Sequence, residues 1–160
     1  MPKIVDHQQR RKELVATAAV VIADLGLENT TLKDVARAAG FSANLVAHYF
    51  DNKDQLLWQV QRFVGKRAAK RFLESGDHSV YSLVESALPY TPDTVVEWKV
   101  RVSFWSRAVV DPALAEAQDA WMRQVRRDMA RVIREQQSAR RLRPDIDVKI
   151  AVERLFILVN

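Results

Sequence analysis

Thr30-Thr31-Leu32-Lys33-Asp34-Val35-Ala36-Arg37-Ala38-Ala39-Gly40-Phe41-Ser42-Ala43-Asn44-Leu45-Val46-Ala47-His48-Tyr49-Phe50 is the stretch that settles the architecture of this chain. Thr31 can cap a short helix running to about Ala39, with Asp34 reaching back in a variant of the capping box. Gly40 tolerates the left-handed turn that a bulkier residue resists. Ser42 can cap the next helix, Ala43 to Phe50. Ala36, Ala38 and Ala39 are small and permit close helix approach, and Phe41 can plug the core beneath the turn. Two short helices joined by a glycine turn, set after a longer helix, are the ingredients of a helix-turn-helix.

The second of these short helices has two unlike faces. At 100° per residue, Leu45, Val46, Tyr49 and Phe50 gather on one side and should pack. Ala43, Asn44, Ala47 and His48 gather on the other, which is small, polar and nearly uncharged. Such a face can enter a major groove: Asn44 can donate to and accept from adenine, and Ala43 or Ala47 can touch a thymine methyl. His48 can reach a base or a phosphate. Thr31, Ser42, Tyr49, Lys53 and the run Arg10-Arg11-Lys12 surround it as phosphate candidates.

Outward from this stretch the chain reads as helices throughout. Leu14, Ala18, Val21, Ile22 and Leu25 form one apolar face of a helix from about Gln8 to Leu25, which Gly26 stops. After Asp51-Asn52, with Asn52 as cap and Gln55 in the reciprocal position, a helix runs to about Glu74. Ser79 to Leu88 and Pro92 to Val110 read as two more. Asp111-Pro112 is a cap with proline at the first helical position, opening a long helix to about Gln137. A basic link, Arg140 to Asp147, precedes a strongly apolar last helix. The expected fold is all-α: a helix-turn-helix domain over 1–52 and a helical regulatory and dimerisation domain over 53–160.

Composition agrees with a helical, globular chain. Its 160 residues suffice for one domain or two small ones sharing a core. Hydrophobic residues at 48% and charged residues at 28% exclude a disordered tail protein. The net charge of +5 favours polyanionic partners, with double-stranded DNA first among them. The first 70 residues hold 11 basic and 7 acidic side chains. With no cysteine, disulfides, zinc fingers and thiol catalysis are out of reach. The amino-terminal residues lack an apolar signal core, and no run of eighteen apolar residues occurs, so a cytoplasmic location is expected.

Thr30-Thr31-Leu32-Lys33-Asp34-Val35-Ala36, Gly40-Phe41-Ser42, His48-Tyr49-Phe50, Asn52-Lys53 and Leu56-Leu57 together resemble the TetR family of bacterial regulators. The match covers about Arg10 to Leu57. It implies that Thr31, Ser42, Tyr49 and Lys53 hold phosphates while positions 43 to 48 read bases. Many relatives carry glycine where this chain has Asn44 and tyrosine where it has Ala47, which implies an unusual operator. The resemblance also implies two subunits on a partly palindromic operator. A small ligand would tilt the helix that follows the head and so change the spacing of the two heads.

The body has its own resemblance. Leu88-Pro89, Glu97-Trp98, Phe104-Trp105 and Val110-Asp111-Pro112-Ala113-Leu114 are similar to the BetI-type branch of that family, which implies a choline-like effector. A quaternary ammonium suits aromatic walls. Trp98 and Trp105, seven residues apart, share a face with Val102 and Val109, and Trp121 follows on the next helix. Phe63 and Tyr90 could close the remaining sides, and Glu97 could balance the charge. The other reading of these tryptophans is core packing. The body occurs with other ligands too, so a different hydrophobic or cationic molecule is the alternative. The last helix carries Ile150, Ala151, Leu155, Phe156, Ile157, Leu158 and Val159, too much apolar surface for an isolated exposed helix. The expectation is a homodimer, from a chain recorded short of its natural end.

Plainer readings stand beside these. The arginines at 123, 126, 127, 131 and 134 read as a solvated face. His7, His48 and His78 lie far apart in sequence, with no metal-ligand spacing, so neither metal nor cofactor is expected. Glu97, Asp111 and Glu116 lie near aromatics, but no nucleophile is paired with a base, and no enzyme is expected. A helical adaptor binding protein through its last helix is a third class, and it would not need the polar face of 43–48 or Lys53.

Overall fold

The structure, a computed structural model, describes residues 7–159. Among these residues it has eight α-helices and no strand, the all-α fold expected. They are α1 (His7–Leu25), α2 (Leu32–Ala39), α3 (Ala43–Tyr49), α4 (Lys53–Glu74), α5 (Val80–Ala87), α6 (Pro92–Ala108), α7 (Pro112–Ser138) and α8 (Val148–Val159). The chain divides into two compact units. One holds the residues up to Lys66 together with Thr91–Phe104, and the other holds Arg67–Tyr90 and the residues from Trp105 onward.

In the first unit, α1 packs on α2 and α2 on α3. Leu14, Ala18 and Ile22 of α1 are fully buried, as are Val35, Val46 and Phe50 beyond it. Each of these side chains other than that of Ala18 stabilises the fold by about 1.5–3 kcal/mol on removal from water. Leu25, expected on the same face, is 44% exposed at the end of α1.

Local chemistry sets the turns. The Thr31 hydroxyl accepts from the Asp34 N–H at 3.2 Å, and the Asp34 carboxylate accepts from the Thr31 N–H at 3.1 Å, completing the expected capping box. Gly40 lies at φ 70° and closes α2, with the Phe41 N–H donating to the Ala36 carbonyl at 2.9 Å. Ser42 caps α3 by accepting from the Leu45 N–H at 3.2 Å. Before α4, Asn52 accepts from the Gln55 N–H at 2.8 Å as expected. The reciprocal bond differs: Gln55 Oε1 accepts from the Asp51 N–H, not from Asn52, at 3.0 Å.

In the second unit, α7 packs on α8 and both contact α5. Met129, Ile133, Val152, Phe156 and Val159 form the core, with Val80, Leu83 and Val84 against it. Arg126 departs from the solvated arginine face expected of α7. Its guanidinium lies 3.7 Å over the Phe156 ring and its Nε donates to Glu153 at 3.0 Å, so it ties α7 to α8. Gln136 is buried and donates to the His78 carbonyl at 3.0 Å. Asp77, which precedes α5, accepts from the Ser79 N–H at 3.0 Å. That N–H and the Ser82 and Ser79 hydroxyls hold its carboxyl down at about 2, against an ordinary 3.8. On α8, Ile150, Ile157 and Leu158 are exposed.

Helix α6 ends at Ala108, short of the expected Val110, because the Val110 N–H turns back onto Arg107 at 3.0 Å. Its buried residues are Thr94, Glu97, Val100, Arg101 and Phe104. The valines expected alongside the tryptophans, Val102 and Val109, are 50% and 84% exposed. The row from Thr94 through Glu97 and Arg101 to Phe104 follows the helical period, and it lies about 100° round from Val102 and Val109.

Candidate nucleic-acid interface

The four residues of the expected reading face, Ala43, Asn44, Ala47 and His48, are all exposed on α3. Their opposite numbers are held: Val46 and Phe50 are fully buried, and Leu45 and Tyr49 are half-buried. One side of a seven-residue helix is therefore anchored in a core while the other presents small and polar side chains, with no Asp, Glu, Lys or Arg among them.

The flanking candidates are each fixed by a neighbour. Lys53 donates its ammonium to the Glu28 carbonyl at 2.9 Å, which leaves it two further hydrogens. Tyr49 Oη lies 2.9 Å from His7 Nδ1. Arg10 lies 4.5 Å over the Phe41 ring and 3.7 Å from Glu13. Arg11 is half-buried 5.2 Å over the Phe50 ring, and its Nε is buried without a hydrogen-bond partner. Thr31 gives its hydroxyl hydrogen to Asp34 at 2.6 Å. That hydroxyl, then the Thr31 N–H, and also Arg37 keep the Asp34 carboxyl below its ordinary range. To hold a phosphate, Thr31 would have to turn its hydroxyl away from this carboxylate. Ser42 is exposed, its oxygen engaged as the α3 cap.

Sequence separation misled in one respect. His7 and His48, far apart in the chain, have ring centroids 6.3 Å apart, and both rings lie beside Tyr49. The start of α1 and the end of α3 thus meet at one surface. Nothing in the spacing announces this, although a helix-turn-helix arrangement of α1 to α3 would have suggested comparing those two ends.

The expected ligand residues divide between the two units. Phe63, Glu97 and Trp98 belong to the first, and Tyr90, Trp105 and Trp121 to the second. Glu97 is only 3% exposed, so it does not sit on a solvated face. Phe63, Trp98, Trp105 and Trp121 are half-buried, whereas Tyr90 is largely exposed. Arg101, which sequence reasoning passed over, is buried and puts its guanidinium 5.1 Å over the Trp98 ring.

Two family models match separate parts of the chain. Residues 14–60 match the model of bacterial regulatory proteins of the tetR family. Residues 77–160 match the model of the BetI-type transcriptional repressor, C-terminal. The chain belongs to the TetR family. Among its TetR relatives, the HTH-type transcriptional regulator BetI of Rhizobium meliloti is 34% identical over 117 residues, covering 68% of this chain and 56% of that protein. BetI 1 of Chromohalobacter salexigens is 29% identical over 133 residues, covering 76% of this chain and 65% of that one. The chain thus spans somewhat less than two thirds of the length of these relatives. A transcriptional regulator from Saccharomonospora viridis, solved in complex with choline, shares the fold at a TM-score of 0.78 and 23% identity, over 96% of this chain and 82% of that one. TetR proteins are transcriptional regulators rather than enzymes. Among the described residues no helix is long and apolar enough to cross a membrane.

Proposed function

We propose that this TetR-family chain is a cytoplasmic, ligand-responsive transcriptional repressor that binds a partly palindromic DNA operator as a homodimer. The observation that carries the reading is the exposed, small and polar face of α3, Ala43, Asn44, Ala47 and His48, on a helix whose other side is buried or half-buried. In this reading Asn44 pairs with an adenine edge, and Ala43 or Ala47 meets a thymine methyl. Arg10, Arg11, Thr31, Ser42, Tyr49 and Lys53 set register on phosphates. Residues 1–52 are the DNA-binding domain, and 53–160 are the regulatory and dimerisation domain. The exposed Ile150, Ile157 and Leu158 of α8 support pairing of two copies.

The effector in this reading is a small hydrophobic or cationic molecule, and the residues offered for it are Phe63, Glu97 and Trp98 in the first unit and Tyr90, Trp105 and Trp121 in the second. The choline bound by the Saccharomonospora viridis regulator supports a quaternary ammonium. The Arg101 guanidinium over Trp98 weighs the other way, since a cation entering there must displace one already present. An effector lowers DNA affinity only if it prefers the arrangement of heads that does not fit the operator. A binding scan over fragments of the source genome tests the regulator reading: specific fragments with two related half-sites are expected, and no enrichment over random DNA overturns it. Calorimetry with choline, betaine aldehyde and a polyamine panel, repeated on Trp98→Ala and Trp105→Ala, tests the effector. Binding unchanged by both substitutions returns the tryptophans to a packing role.

A further inference from the structure

His7, His48 and Tyr49 form a cluster at the edge of the reading face. Tyr49 Oη is 2.9 Å from His7 Nδ1, and the His48 ring lies 5.4 Å from the Tyr49 ring and 6.3 Å from the His7 ring. Both histidines are exposed. Among the described residues, the charged groups about them come from α1 and α3. Arg10 and Arg11 lie one turn along α1 from His7, the first beside Glu13 at 3.7 Å and the second over Phe50. On α3 the neighbours are His48 and the Tyr49 hydroxyl itself. The Lys53 ammonium is held at the Glu28 carbonyl.

A phosphate oxygen can only accept hydrogen bonds, so Tyr49 can hold one only by donating its single hydrogen. A neutral His7 ring with its hydrogen on Nε2 leaves Nδ1 bare, and the phenol then donates to Nδ1. A proton taken from solvent onto Nδ1 reverses the bond. The ring now donates to the phenol oxygen, and the Tyr49 hydrogen is released toward DNA. The geometry points to His7 as the positioning residue that decides whether the Tyr49 hydroxyl is aimed at itself or at a phosphate. The inference rests on the DNA-binding reading above and extends it to regulation of that interface. DNA affinity therefore rises as the medium is acidified through the histidine range, and DNA binding is accompanied by proton uptake. An approaching phosphate favours a positive charge on His7. This couples the proton to the DNA.

The test uses the full chain and a labelled duplex of mixed sequence, because a phosphate contact is independent of sequence. Affinity is measured at about pH 6 and about pH 8 at fixed salt, bracketing the histidine range. The affinity ratio between the two pH values should be larger in wild type than in Tyr49→Phe, by at most about fivefold, the worth of one ordinary hydrogen bond, since a neutral ring with its hydrogen on Nδ1 also frees the phenol. His7→Gln should reduce the ratio at least as far, since it also loses the direct charge of His7, and adding Tyr49→Phe to His7→Gln should reduce it no further. The direct charge of His48 remains in all four proteins and cancels from the comparison. Equal ratios in wild type and Tyr49→Phe, or a wild-type ratio in His7→Gln, overturn the inference while leaving DNA binding standing. No binding of any duplex at either pH overturns the DNA-binding reading and this inference with it.

Discussion

Lys53, at the first turn of α4, donates its ammonium to the backbone carbonyl of Glu28 at 2.9 Å, joining residues 25 positions apart. The bond holds the start of α4 to the link between α1 and α2. It also orients the two remaining N–H hydrogens. Lys53→Ala should therefore have two effects. Stability falls by about 1 kcal/mol as the carbonyl loses a charged donor. Affinity for all DNA sequences falls alike, and the salt slope decreases by about one. A changed sequence preference with an intact slope would remove Lys53 from the phosphate set.

Asn44 should behave in the opposite way. It is exposed on α3. Asn44→Ala should leave the unfolding midpoint within about 0.5 kcal/mol of wild type. Preference at one base pair should relax at a cost of roughly 1–3 kcal/mol. Selection from a randomised duplex pool reads this directly, and an unaltered consensus would exclude Asn44 from base reading.

At the start of α2, Thr31→Ala removes the hydroxyl that accepts from the Asp34 N–H and donates to its carboxylate. Loss of a cap of this kind costs about 1 kcal/mol, and Thr31→Ser should restore most of it. The Asp34 carboxyl, held below its ordinary value of 3.8 chiefly by that hydroxyl, should move upward in Thr31→Ala. Carboxyl chemical shifts against pH would report the change.

Asp77 gives the second unit its own acid response. Its carboxyl sits at about 2 in the folded chain against an ordinary 3.8. The ionised form is therefore the one the fold favours. Its contribution is complete above the ordinary value and fades as pH falls from about 4 to about 2. Asp77→Asn should lower the urea midpoint at neutral pH and lessen the loss on acidification over that window. An identical acid response in both proteins would contradict the assignment.

The legible parts of the molecule were those fixed within a few residues of chain. Thr31 with Asp34, Gly40 with its backward bonds, Ser42 with Leu45 and Asp111 with Leu114 are all local, so residue type and spacing suffice to find them. The two faces of α3 followed from periodicity alone. What stayed hidden depends on distant contacts. His7 meets Tyr49 across 42 residues and Lys53 meets Glu28 across 25. Helix α6 misled at Val102 and Val109, which spacing sets alongside the tryptophans but which are exposed, and Arg101 was passed over because a buried charge carries no apolar signal to mark its face.

Gly40 carries a last consequence. A Cβ built there meets nothing within 4 Å, so the turn between α2 and α3 has room for a side chain. The barrier is the backbone at φ +70°, which disfavours L residues by roughly 1–2 kcal/mol. The exclusion is therefore one of handedness and not of crowding. D-alanine, introduced at this position by chemical ligation, adopts that conformation by preference. If its methyl, which replaces the other α-hydrogen, meets no neighbour, it should stabilise the head by about 0.4–1 kcal/mol through a less free unfolded chain, where L-alanine destabilises it. Thermal melts of the two diastereomers would then fall on opposite sides of the glycine protein, a chiral signature of a single backbone angle.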